Sequence, residues 1–144
     1  MINATKEKIT NYFQGNSQFV VPFFQRSYVW DEDNWNTMWE HTSSVLEHHE
    51  AGDIKDEHFI GTIITKQRPA EKIGESVYDL IDGQQRLTTI AMFLKAIGDA
   101  ATNQMSNLKS MISGNLCFQD ARGKSFPRIV PSSYDKPFYD AVLA

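Results

Sequence analysis

At 144 residues, with 41% hydrophobic and 12% aromatic content, the chain has the size and apolar share of one ordinary globular domain, which excludes a disordered tail. A formal charge of −4 excludes an indiscriminate cationic binder of nucleic acid. No run approaches the roughly eighteen apolar residues of a membrane helix, and the opening Met1 to Lys8 lacks an apolar signal core, so a cytoplasmic protein with no membrane partner is expected.

Residues 3–14 read as a short helix capped by Asn3 or Thr5, with Ile9, Tyr12 and Phe13 on one face and Gly15-Asn16 ending it. Gln18 to Val21 is a strand-forming run, and Pro22, which has no N–H for a ladder, marks an edge or a strand end. Phe23 to Trp30 reads as an extended loop. Asp31 is a good N-cap for a helix of about five turns, in which Trp35, Met38, Trp39, Thr42, Val45, Leu46 and His49 recur at helical spacing until Gly52. Trp35 and Trp39 lie in that stripe, so they and Trp30 are expected in the core and not as base-stacking residues. Residues 31–58 hold nine of the eighteen acids against one base, Lys55, leaving −8 there and +4 elsewhere. Anionic ligands are steered to the remainder of the surface, unless the acids are simply a solvated helix face. Glu47-His48-His49-Glu50 lacks the one-face spacing of a zinc motif.

His58 to Lys66 and Ser76 to Asp82 read as two strands, joined by a polar hairpin connection over Lys66 to Glu75. Gly83 follows directly, and Leu87, Ile90, Ala91, Leu94 and Ile97 form a helical stripe reaching about Ala101. A helix near 103–113, an extended piece at Phe126 to Val130 and a helix opening near Ser133 or Asp135 complete the reading. Cys117, the single cysteine, reads as a small buried apolar residue.

Chemistry concentrates at residues 82–86. A strand-to-helix turn gathers unpaired backbone N–H groups and partial positive charge, which suits phosphate. Gly83 allows tight curvature, Gln84 and Gln85 offer amide donors, Arg86 offers a forked cation, Asp82 could hold a divalent metal, and Thr88 and Thr89 add hydroxyls. The competing reading is a structural glycine turn in which Arg86 pairs with Asp82 or Asp79. The ending of a Walker A loop is absent.

Three segments, Val21 to Trp30, His58 to Ile63 and Leu80 to Thr89, resemble in order and separation the hallmark blocks of the N-terminal domain of GmrSD-type, modification-dependent (type IV) restriction endonucleases, and cover roughly residues 10–100. The resemblance implies an α+β, ParB/sulfiredoxin-like fold with a small mixed sheet flanked by helices over residues 1–102, followed by a helical region over 103–144. It implies a nucleotide-binding, triphosphate-hydrolysing regulatory domain that takes a GTP- or ATP-like nucleotide with Mg²⁺. Asp82, Gln85 and Arg86 would be catalytic, with Asp82 on the metal; Gln25, Arg26, Gly83, Gln84, Gln85, Arg86 and Thr88 would bind nucleotide. Tyr28 and His58 would line the site, although His58 reads equally as a strand cap. The cleavage module acting on DNA would be a C-terminal HNH-type domain beyond residue 144 or a separate subunit. Two alternatives are a DNA-binding module that recognises modified DNA without hydrolysis, and an interaction scaffold whose turn is purely structural.

Overall fold

Aromatic and β-branched residues pair as their propensities predict, and Pro22 falls just past the end of the first strand, β1 (Ser17–Val20). The computed structural model describes residues 3–55, 57–69 and 76–144, so the expected hairpin connection lies partly outside the described residues. Strand β2 (Ile64–Gln67) runs antiparallel to β3 (Ser76–Asp82) with an irregularity between Ile64 and Thr65. Strand β3 pairs parallel with β1, and β1 pairs parallel with β6 (Ile129–Val130). The sheet order is therefore β2-β3-β1-β6, a small mixed sheet. A separate hairpin joins β4 (Cys117–Gln119) to β5 (Ser125–Pro127), with Phe118 and Phe126 stacked across it.

Four helices flank the strands: α1 (Glu32–Glu50), α2 (Gln84–Ala100), α3 (Ser106–Leu116) and α4 (Lys136–Leu143). The α+β expectation of a small mixed sheet flanked by helices holds. Phe19 and Leu80 from the sheet meet Leu87 and Ala91 of the α2 stripe in one apolar core. Full burial of a leucine such as Leu80 or Leu87 contributes about 1.5–3 kcal/mol. Ile112 and Leu116 of α3, Ile129 of β6 and Tyr139 of α4 complete the same core, so residues after 102 pack into it directly. The α2–α3 crossing is close because Gly98 carries no side chain; a Cβ there would sit 3.2 Å from Ile112 Cγ2.

Several expectations need correction. Residues 3–14 do not form a full helix; only Ile9–Phe13 coils, as a 3-10 turn, and neither Asn3 nor Thr5 caps it. The strand expected from His58 begins only at Ile64. Gly61 sits at φ +111°, outside strand geometry, and Thr62 presents its carbonyl to a side chain instead of a ladder. The piece at 126–130 divides into β5 and β6, because Arg128 between them directs its N–H to Leu116 O and its carbonyl to Phe19 N. Cys117 is half-buried. The tryptophan stripe is not core: no residue of α1 is buried, although Asp31 forms the expected cap as a full capping box with Asn34. Helix α1 reaches the domain with Trp39 set edge-on to Phe93 and Trp35 Nε1 donating to Tyr28 Oη, and half-buries Met38, Ser43 and Val45.

Arg128 is the least expected core residue, at 2% exposure. Its guanidinium donates to five carbonyls, those of Gln14, Gly15, Ser17, Gly114 and Asn115. Two of these belong to the last turns of α3, where orphan carbonyls and the negative dipole end favour a cation. Burial pulls the guanidinium below its ordinary range.

Candidate functional site

Strand β3 ends at Asp82, Gly83 turns the chain at φ +91°, and α2 starts at Gln84. Glycine is required twice over: the backbone is left-handed, and a Cβ would lie 3.0 Å from Ile63 Cγ1 and 3.2 Å from Thr62 O. The helical ladder begins with Leu87 N donating to Gly83 O. The amides of Gln84, Gln85 and Arg86 thus precede the ladder, and no side chain caps them. Helix α1, by contrast, closes its own N-terminus with the capping box.

Arg86 is held from the opposite wall. Its Nη1 donates to Thr62 O at 2.8 Å, and its guanidinium occupies the space where Gly61 lacks a side chain; a Cβ on Gly61 would fall 2.6 Å from Cζ. The ion-pair alternatives for Arg86 are not taken up. Asp79 is bound by Arg68 at 2.6 and 2.9 Å, and Asp82 Oδ1 accepts from Gly83 N. Asp82 itself remains exposed.

The three glutamines work inward. Gln25 Nε2 donates to Ile81 O at the end of β3, and Gln84 Nε2 donates to Gln25 Oε1. Gln85 Oε1 accepts from Val29 N at 2.8 Å and Trp30 N at 3.3 Å, while its Nε2 donates to Ser27 O at 3.2 Å. A second link runs in one direction. Trp35 Nε1 donates to Tyr28 Oη, which donates to Thr89 Oγ1, whose own proton goes to Gln85 O. The Tyr28 backbone N–H is fixed by Asp135 Oδ2 just before α4. Segment 25–30 therefore clips β3, α2, α1 and α4 together around the turn.

The remaining candidates make no side-chain hydrogen bond to residues 82–86 among the described residues. Arg26 is exposed, and among the described residues no hydrogen bond ties it to the turn. His58 is exposed and lies against His41 of α1, the two rings tilted by 47° with centres 4.4 Å apart. Thr88 and Tyr28 line a mainly apolar cleft of about 280 Å³ between α2 and α4, with Met92, Phe138 and Tyr139 among its walls. Burial, with smaller contributions from Cys117 and Asp140, holds the Tyr139 phenol well above its ordinary range. Sequence reasoning missed Gly61 and Thr62 as partners of Arg86, and Asp135 as the anchor of Tyr28. One signal was available for the first: a glycine inside a strand-like run marks close approach of another group.

The turn thus combines three uncapped amides, one immobilised guanidinium and one exposed carboxylate, a set suited to an anion accompanied by a cation. Comparison with protein families finds a match over residues 9–143 to the family described as GmrSD restriction endonuclease, N-terminal domain. No curated protein matches the chain.

Proposed function

Because the chain belongs to the GmrSD restriction endonuclease N-terminal domain family, we propose that it is the nucleotide-binding, triphosphate-hydrolysing regulatory part of a restriction system that acts in phage defence with a DNA-cleaving C-terminal domain or subunit. The observation that carries this reading is the uncapped start of α2 beside an arginine already fixed by Thr62 O against Gly61. A helix N-terminus favours phosphate through its free amides and dipole. Arg86 spends one N–H on Thr62, and its other donors serve phosphate oxygens, where an immobilised guanidinium stabilises developing charge without reorganising.

Asp82 fits a Mg²⁺ role in the limited sense that this ion binds through one or two carboxylates together with substrate phosphates and water. When bound, the ion would neutralise phosphate charge. Gln84 and Gln85, committed to segment 25–30, support this reading as residues that hold the turn rigid. Arg26, exposed on the same segment, is the second cation we assign to the phosphates or the base.

The test is phosphate release by the full-length protein with each nucleoside triphosphate and Mg²⁺. Loss of release on Arg86→Ala is expected, and equal release by wild type and variant refutes hydrolysis at this turn. Tight, steeply salt-dependent DNA binding by the domain without nucleotide would favour the reading in which the same groups grip a DNA backbone.

A further inference from the structure

We propose that the acidic, aromatic strip along α1 is a docking site for a lysine- and arginine-rich amphipathic helix of a protein partner. Helix α1 has nineteen residues, none of them buried. Helices in proteins are stabilised mainly by packing an amphipathic face. Its apolar face is present yet open. Trp39 is 54% exposed and Leu46 58% exposed; seven residues apart, they lie on one side of the helix, two turns from each other. The edge-on contact of Trp39 with Phe93 carries this strip onto α2, where Ile97, one turn beyond Phe93, is 43% exposed. Leu46, Trp39, Phe93 and Ile97 thus form a discontinuously covered apolar floor crossing two helices.

Charge selects the occupant. Over its whole length α1 carries Glu32, Asp33, Glu40, Glu47 and Glu50 and no lysine or arginine. At 100° per residue, Glu32 and Glu50 project about 20° from Trp39, and Glu47 and Glu40 about 80–100° from it on the same side. A rim of carboxylates therefore borders the apolar strip. A second copy docked face to face would set this rim against itself, and DNA or an anionic membrane would meet repulsion. An amphipathic helix with leucine-like anchors at i, i+3/i+4 and i+7 and lysine or arginine beside them satisfies both the floor and the rim. This surface does not depend on what occupies the turn at residues 82–86.

The test uses the full chain and a synthetic helix-forming peptide with leucine on one face and lysine on the other. Binding is followed by tryptophan fluorescence and by NMR shifts of the labelled protein. We expect saturable binding with shifts confined to α1 and the exposed side of α2. The affinity should fall about tenfold or more in the exposed charge-reversal variant Glu47→Lys/Glu50→Lys, and comparably in Leu46→Ser. Circular dichroism and melting of both variants should match wild type, because neither replaces a buried group. Equal binding by wild type and both variants overturns the proposal, as does equal affinity for a sequence-scrambled peptide of the same composition. So do shifts centred on the α2–α4 cleft, or concentration-dependent self-association of the free chain that Leu46→Ser abolishes.

Discussion

Replacing Gln85 by glutamate exchanges one nitrogen for one oxygen at a side chain that is 6% exposed and bonded on both atoms. Oε1 must be the atom facing Val29 N and Trp30 N, because both are donors, so Nε2 is the atom facing Ser27 O. A protonated carboxyl can reproduce this arrangement, accepting with one oxygen and donating to Ser27 with the other. An ionised one cannot: it sets two acceptors against each other inside the fold. Burial and the Ser27 carbonyl therefore raise the folded-state pKa of the new carboxyl above the value of about 4.3 that it has in the unfolded chain. The sign follows directly. Below about pH 4.3 the variant keeps its stability, and above it the unfolded state releases a proton that the folded state retains, so stability declines until the folded pKa is passed. For a rise of about two pKa units, modest for a buried carboxyl, the loss reaches about 2.7 kcal/mol, accumulated at about 1.4 kcal/mol per pH unit between roughly pH 4.3 and 6.3. Urea denaturation of wild type and Gln85→Glu at intervals from pH 4 to pH 8 measures it. A wild-type-minus-variant difference that stays constant across that range refutes the internal role of Gln85.

Gly61→Ala places a methyl 2.6 Å from Arg86 Cζ in a left-handed backbone; the strain costs about 1–3 kcal/mol, and phosphate release should fall as in Arg86→Ala, whereas retained release would show that Arg86 need not rest there. Arg128→Met strips the donors from five carbonyls at a site 2% exposed; a destabilisation of about 3–5 kcal/mol by denaturant titration is expected, and a change under about 1 kcal/mol would refute the packing role. Burial raises the Tyr139 phenol, so the folded state favours its neutral form and loses stability as pH climbs above the ordinary phenol range. Ultraviolet titration of wild type against Tyr139→Phe should show the Tyr139 phenol ionising only with unfolding.

What was legible in the sequence was local. The Asp31 cap, the strand before Gly83 and the α2 stripe are written in neighbouring residues, and each lies where the spacing predicts. The turn at 82–86 was legible for the same reason, as a glycine between a strand and a helix. Its wall was not, because the link between Arg86 and Thr62 spans 24 residues. That contact bends the 58–63 run out of the strand which its β-branched residues favour. Arg128 was invisible for a different reason: an arginine reads as surface until the five carbonyls around it are known. The tryptophans of α1 misled because helical spacing tells which residues share a face, but not what that face meets.

The clip formed by residues 25–30 also bears on the order in which the molecule is built. The bond from Gln25 to Ile81 closes 56 residues, and that from Tyr28 to Asp135 closes 107. Such long closures lose chain entropy before any contact rewards them, which places them late in folding. The turn at Gly83 can form early from its own neighbours, whereas the walls around it are assembled only when the segment before α4 has arrived. A chain cut after residue 102 would keep every residue assigned to phosphate and yet lose β6 from the flank of β1, the Arg128 guanidinium from the carbonyls of Gln14, Gly15 and Ser17, and the anchor of Tyr28. The motif is short, but the object that holds it in shape is nearly the whole chain.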